Sequence, residues 1–300
     1  MIRTNITFDS QHARCAAWLY HPDGEGPFPC VILASGFGAI RAMRLHVYAE
    51  RFVQAGFVAL AFDYRHFGDS TGEPRHLLDI KQQLADWAAA VSYARGLAFV
   101  DPDRIALWGT SLSGGHVIEI AASDRRIAAV VAQVPFVDGL ANIRAASFAH
   151  ALRLVAAGLR DELRRLLRQS PYYVKIVGAP GTLAAITTPD AQEGYRSITP
   201  GSDIQWENAV AARVLLRIGF YRPINVAAHV QCPLLICVCA DDLLTPPQNA
   251  TLASRVAPLS ELRCYKGRHF DIYTGALFQQ VVSDQCHFLT QHLVQSQSRH

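Results

Sequence analysis

Arg104-Ile105-Ala106-Leu107-Trp108-Gly109-Thr110-Ser111-Leu112-Ser113-Gly114-Gly115 decides how this chain reads. Residues 104–108 have a strand pattern that runs directly into Gly109, and a helix of small and apolar residues follows. A strand that turns sharply into a helix holds the turn residue in a strained conformation above the sheet. Small residues two before and two after it let the backbones approach. Gly109 and Ser113 take those positions around Ser111, whose hydroxyl is then presented at a helix N-terminus beside backbone N–H groups. A Ser/Gly-rich loop that merely caps a helix is the plainer alternative. Ser113 is the competing serine, but two residues into the helix its side chain does not face outward in the same way.

Outward from this turn, strands and helices alternate. Residues 2–8 and 14–20 read as strands, and the Pro- and Gly-rich stretch 21–29 as a loop. Residues 30–34 are continuously apolar, as expected of a strand covered on both faces, and end in Ser35-Gly36-Phe37-Gly38. Leu45, Tyr48, Ala49, Phe52 and Val53 have helical spacing, closed by Gly56. A buried strand at 58–62 leads into a polar, turn-rich loop at 63–74. Asp79 can cap a helix whose apolar face carries Ile80, Leu84, Trp87, Ala88 and Val91. Asp101-Pro102-Asp103 reads as a turn, and 127–133 as the strand after the Ser111 helix.

From about 136 to 228 the patterns are mainly helical, with Leu152, Val155, Leu159, Leu163 and Leu166 in one stripe and a loop-like segment at 177–202. Alternation resumes with a strand at 234–240, a helix near 247–256, a strand at 261–265 and a helix at about 275–294. Such a rhythm predicts an α/β architecture, a parallel sheet wrapped by helices. The middle segment is too long for an ordinary crossover. It is expected as a helical cap, residues 136–228, inserted between two parts of one core, 1–135 and 229–300.

A serine hydroxyl needs a base. Of the twelve histidines, His269 has the best setting, in a loop after the last strand and after Gly267. Its orienting acid belongs just after the preceding strand, where Asp241-Asp242 stand. Asp242 is the choice, with Asp241 forming the turn and Asp138 a further candidate. For a developing oxyanion, the donors would be the backbone N–H groups of Leu112, next to the nucleophile, and Phe37, in the glycine loop after the 30–34 strand. His66, near the expected pocket rim, could touch substrate. His116 is read as packed or exposed on the helix after the turn, and His46 as beginning a helix.

The bulk numbers narrow the classes. The chain has 300 residues, half of them apolar and 18% charged, enough for a sizeable core. A formal charge of +3 gives no electrostatic case for nucleic acid. No apolar stretch approaches a membrane span, and residues 1–10 lack the features of a secretory signal, so the expected location is the cytoplasm. The seven cysteines include no C-x-x-C pair and read as reduced core residues rather than a disulfide or zinc set.

Together these residues resemble the α/β-hydrolase superfamily over about 1–135 and 228–294. Residues 101–111 (DPDRIALWGTS) and 63–72 (DYRHFGDSTG) are similar to the dienelactone hydrolase and X-Pro dipeptidyl-peptidase (S15-like) branches. The resemblance implies an eight-stranded, mostly parallel sheet and esterase, thioesterase, lactonase, peptidase or acyl-transfer chemistry. Two positions depart from the pattern. Ser35 stands where many relatives have His before the glycine, and Ser113 closes the turn in place of Gly. True dienelactone hydrolases have a cysteine nucleophile, so Ser111 argues against that activity.

The expectation is a serine hydrolase without metal or cofactor, acting on a small ester or thioester through Ser111, His269 and Asp242. Acyl transfer, an S15-like peptidase and a catalytically silent receptor are the rivals. No nucleic-acid or membrane partner is expected, and a homo-oligomer is compatible. Arg144, Arg153, Arg160, Arg164, Arg165 and Arg168 in the inserted segment could hold a phosphate-bearing carrier such as coenzyme A or phosphopantetheine, or form a solvated helix face. Tyr172, Tyr173, Phe220 and Tyr221 could line an apolar pocket or pack the cap.

Overall fold

The computed structural model describes residues 1–145, 148–199, 201 and 204–294. Eight strands form one sheet in the order β1-β2-β4-β3-β5-β6-β10-β11. They are β1 (Ile2–Ser10), β2 (Ala13–His21), β3 (Phe28–Ala34), β4 (Val58–Phe62), β5 (Val100–Thr110), β6 (Ala129–Gln133), β10 (Leu234–Cys239) and β11 (Ser260–Tyr265). β2 pairs antiparallel with β1 and β4, and every pairing from β4 to β11 is parallel. Helices α1 (Leu45–Gln54) and α8 (Gly275–Leu293) pack on one face. Helices α2 (Ile80–Arg95), α3 (Leu112–Ser123) and α7 (Pro247–Val256) pack on the other. With both faces covered, β3, β4, β6 and β10 are buried almost throughout, which is why their sequences are continuous apolar runs.

Local readings hold in most places. Leu45, Tyr48, Ala49, Phe52 and Val53 are the buried face of α1, and Gly56 takes the left-handed φ of 91° that ends it. Asp79 caps α2 by accepting from Gln82 N at 3.1 Å. The face of α2 is a correction: Ala88 is exposed, while Gln83 and Asp86 are buried beside Trp87 and Val91. Asp86 pairs with buried Arg65, so polar residues on that face have a partner that helical periodicity cannot show. Asp101-Pro102-Asp103 is not a separate turn. It lies within β5, whose pairing with β3 jumps from Phe28/Val100 to Cys30/Ile105 across an irregularity. Cys264 is exposed and Cys232 and Cys286 are half-buried, so only four of the seven cysteines belong to the core.

The segment between β6 and β10 holds helices α4 (Gly139–Ala145), α5 (Phe148–Leu166) and α6 (Ala191–Ile198). It is not purely helical. β7 (Tyr173–Val177), β8 (Ala184–Ile186) and β9 (Val210–Ala211) form a small sheet in the order β8-β7-β9, part of it where the sequence reads as loop. The stripe of α5 also turns outward: Leu152, Leu159, Leu163 and Leu166 are all exposed. The helix packs through Ala157, Gly158 and Asp161 instead. A Cβ on Gly158 would lie 2.6 Å from Leu216 Cγ, so the small residue permits a close approach. Asp161 locks the contact with a bidentate pair to Arg213 at 2.8 and 3.0 Å. Among the described residues no helix is long and apolar enough to cross a membrane.

Candidate active site

Loops at the C-terminal ends of β3, β5, β10 and β11 converge above the sheet, the place where open α/β sheets bind ligands. Ser111 sits between β5 and α3 with φ 56° and ψ −120°, a strained conformation for a residue with a side chain. Its carbonyl accepts from Phe136 N at 2.8 Å, and its N–H donates to Gln133 O at 2.9 Å, which anchors the turn to the end of β6. The small flanking residues have a measurable reason. A Cβ on Gly109 would lie 2.1 Å from the Ser113 carbonyl oxygen. Ser113 itself is fully buried, and its hydroxyl bonds Tyr64 Oη, which also accepts from Trp87 Nε1 at 2.7 Å. The departure from Gly at this position is therefore filled by a buried polar chain, and Ser113 faces away from the cavity.

His269 is buried, and its Nδ1 lies 2.7 Å from Asp242 Oδ2. Asp242 Oδ1 accepts from Leu244 N and Thr245 N, both at 2.8 Å, so the carboxylate is held at both oxygens. Asp241 is exposed. Asp138 is committed elsewhere, in a bidentate pair with Arg222 at 2.9 Å and as acceptor from Leu140 N at 3.0 Å at the start of α4. Thr245, not singled out in the sequence, joins the pair. Its Oγ1 stands 2.9 Å from Asp242 Oδ2, 3.0 Å from Val134 O and 3.1 Å from His269 Nδ1. The available signal was its place three residues after Asp242, where a hydroxyl folds back on a turn.

Ser111 and His269 line one small cavity of about 20 Å³, together with Ser35, Phe37 and Tyr273. No hydrogen bond joins Ser111 Oγ to His269 among the described residues. Catalytic contacts often tighten only with substrate bound. Gly36 presses on Ser111: a Cβ there would lie 2.8 Å from Ser111 Cβ and 3.3 Å from its Oγ. The Gly36–Phe37 backbone thus passes directly beside Ser111.

Ser111 and Phe37 also line a second cavity of about 510 Å³. Its walls include Leu112 and Phe136 of the core, Leu154 and Val155 of α5, Ile186 of β8, and Leu243 and Leu244. They are mostly apolar. Arg153 borders it and donates to Gly181 O at 2.8 Å. The other arginines serve local contacts. Arg160 stacks 4.2 Å over Tyr172, Arg164 donates to Ser170 O at 2.6 Å, and Arg165 pairs with Glu162. Arg168 lies beyond α5 and is exposed, and the side chain of Arg144 lies outside the described residues.

The remaining sequence candidates have structural partners. His116 is fully buried between Tyr221 Oη at 2.7 Å and Gln83 Oε1 at 3.0 Å, and burial pushes its pKa down to about 3. Tyr221 is buried in that contact, whereas Phe220 is 86% exposed and lines neither cavity. His66 meets Gln82 at 3.1 Å and is absent from both cavity walls. His46 stands just inside α1, edge-on to Trp18.

Residues 11–163 match the model of the X-Pro dipeptidyl-peptidase family (S15 family). The chain is 43% identical over 286 residues to the quorum-quenching protein AidA of Acinetobacter baumannii, covering 95% of this chain and 93% of that one. It is 31% identical over 257 residues to the polyketide transferase ATR5 of Stachybotrys chlorohalonatus, covering 83% of each. The crystal structure of the α/β hydrolase GrgF from Penicillium superposes with a TM-score of 0.83 at 24% identity, over 98% of this chain and 99% of that one. This chain has the α/β-hydrolase fold, and it belongs to the X-Pro dipeptidyl-peptidase (S15) family.

Proposed function

We propose that the chain cleaves an ester or thioester of a small, largely apolar acyl substrate through Ser111, His269 and Asp242. The observation that carries this reading is the buried Asp242–His269 pair at 2.7 Å beside a cavity shared with a strained, elbow-borne serine. In this mechanism Asp242 fixes the His269 tautomer with the Nδ1 proton toward the carboxylate and stabilises the imidazolium as it forms. Nε2 takes the Ser111 proton as Oγ attacks the carbonyl. The oxyanion rests on the N–H groups of Phe37 and Leu112, each worth about 3 kcal/mol of barrier. His269 then protonates the leaving group, and water activated by the same imidazole releases the acid from the acyl-enzyme.

The acyl group would lie in the 510 Å³ cavity under residues 136–228, which we take as the cap. A peptide ammonium group would meet no carboxylate among the described residues lining that cavity, which weighs against dipeptidyl-peptidase activity. Acyl transfer is the second reading. It is favoured by the cap over the cavity and by the likeness to a polyketide transferase. The exposed Leu stripe of α5 supports self-association of two copies, and the seven free thiols support a reducing compartment such as the cytoplasm.

Intact-mass detection of a fluorophosphonate adduct, alongside hydrolysis of short p-nitrophenyl esters, tests the reading. One adduct is expected on the wild type. On Ser111→Ala the adduct should vanish and kcat should fall by at least about 10³-fold. A folded wild type that takes no adduct would overturn the proposal. Product analysis with added alcohols or amines separates hydrolysis from transfer.

A further inference from the structure

The inserted segment touches the catalytic loops at a point the mechanism above does not use. Tyr195, on α6, is 5% exposed and donates its phenolic hydrogen to Phe37 O at 2.6 Å. Trp206 donates Nε1–H to the next carbonyl, Gly38 O, at 2.8 Å. The two aromatic rings stack 5.4 Å apart, 27° from parallel. Gly38 has a left-handed φ of 63° and lies directly under β7, where a Cβ would come 2.5 Å from Ile176 Cδ1. The peptide before Phe37 is also tied, since Gly36 O accepts from Ala39 N at 3.3 Å. Both peptides flanking the Phe37 Cα are therefore held, which fixes its φ and ψ and with them the direction of its N–H.

α6 also meets the histidine loop. Tyr195 packs on Phe270 at 5.5 Å, and a Cβ on Gly194 would strike that ring at 2.0 Å. Phe270 follows His269. Apolar rings would fill this space equally well, so the two donors aimed at consecutive carbonyls call for a reason beyond packing. Burial raises the Tyr195 phenol above its ordinary value, so it stays a donor at any working pH.

We propose that Tyr195 is a positioning residue for the oxyanion hole. By holding the Phe37 carbonyl from the cap, with Trp206 beside it, it keeps the Phe37 N–H aimed at the oxygen that becomes negative during attack. The idea rests on the Ser111 mechanism above. It makes the cap part of the catalytic geometry as well as the pocket wall. Placement errors of about 1 Å cost on the order of a hundredfold in rate, and loss of a whole donor costs 10²–10³-fold. A loosened donor falls at or below that range.

The test uses the full chain as wild type, Tyr195→Phe and Trp206→Phe. The readouts are thermal unfolding, fluorophosphonate labelling, kcat and KM on a short p-nitrophenyl ester, and inhibition by an aryl boronic acid, which forms a tetrahedral adduct on a reactive serine. For Tyr195→Phe, kcat should fall about ten- to hundredfold with KM within about twofold. Boronic acid affinity should weaken by the same factor and the unfolding temperature should change little. Trp206→Phe should show the same pattern at smaller amplitude. Wild-type kcat and boronic acid affinity in Tyr195→Phe would overturn the proposal, and so would a loss confined to KM. If Tyr195→Phe does not fold, Trp206→Phe decides. If neither folds, the bonds serve cap stability and the proposal falls. A wild type that labels at Ser111 while the variants behave normally refutes only the positioning role. A wild type that does not label removes the hydrolytic reading and this one with it.

Discussion

Asp242 and Asp138 follow strands that lie side by side in the sheet, yet their surroundings differ in kind. Asp138 spends both oxygens on Arg222 and the start of α4, while Asp242 spends one on its own turn and offers the other to His269. Asp242→Asn is therefore expected to lower kcat by about 10²–10⁴-fold in steady-state assays, because the amide favours the wrong tautomer. Asp138→Asn should leave kcat within a few-fold. The two serines separate as cleanly. Ser113→Ala strands the Tyr64 hydroxyl on one side and should cost about 1 kcal/mol in denaturant unfolding, with fluorophosphonate labelling intact. Both serines are visible in the sequence, but only the buried Tyr64–Trp87 chain shows what the second one is for.

At the scale of elements, α5 shows that an apolar stripe does not by itself say which way it faces. Its apolar period is real, but the helix is clamped by the opposite face through Gly158 and the Asp161–Arg213 pair. Removing one member of a buried pair leaves a charge without compensation. Asp161→Leu should thus destabilise the chain by about 3–5 kcal/mol in thermal unfolding. Burial raises the Asp161 pKa, but the Arg213 bonds and backbone N–H groups outweigh it and hold the carboxyl below the usual range. A depressed carboxylate adds stability that is complete above its unfolded pKa, about 3.9, and disappears as pH falls through the folded value. The α5 contact with Arg213 should therefore loosen only in strong acid. The outward stripe predicts a second measurement. Sedimentation velocity should show self-association that Leu159→Glu with Leu163→Glu abolishes, because charge in a self-complementary apolar contact opposes association.

At the scale of the whole molecule, one pH response runs through His116, which bridges α2, α3 and the Tyr221 segment as a neutral ring. Its folded pKa of about 3 lies below the ordinary 6.5. Between those values the unfolded chain binds a proton that the folded chain refuses. Stability is complete above about pH 6.5 and falls as pH drops toward 3, by on the order of 4 kcal/mol. Unfolding midpoints across this range should slope accordingly in the wild type and flatten in His116→Gln.

What the sequence by itself determined is local: the strained Ser111 turn, the doubly covered strands, the caps and the chain order of Ser111, Asp242 and His269. Steric demands at Gly109, apolar runs such as residues 30–34 and the reach of an Asp79 side chain act within a few residues, so spacing reveals them. The tertiary structure alone decided the outcomes that depend on distant partners. It gave the contact with His269 to Asp242 and not to Asp138, turned the α5 stripe to solvent, built a small sheet between β6 and β10 and brought Tyr195 to Phe37, 158 residues away in the chain. Periodicity tells a helix which residues share a face, but which surface that face meets is settled only when the rest of the chain has packed around it.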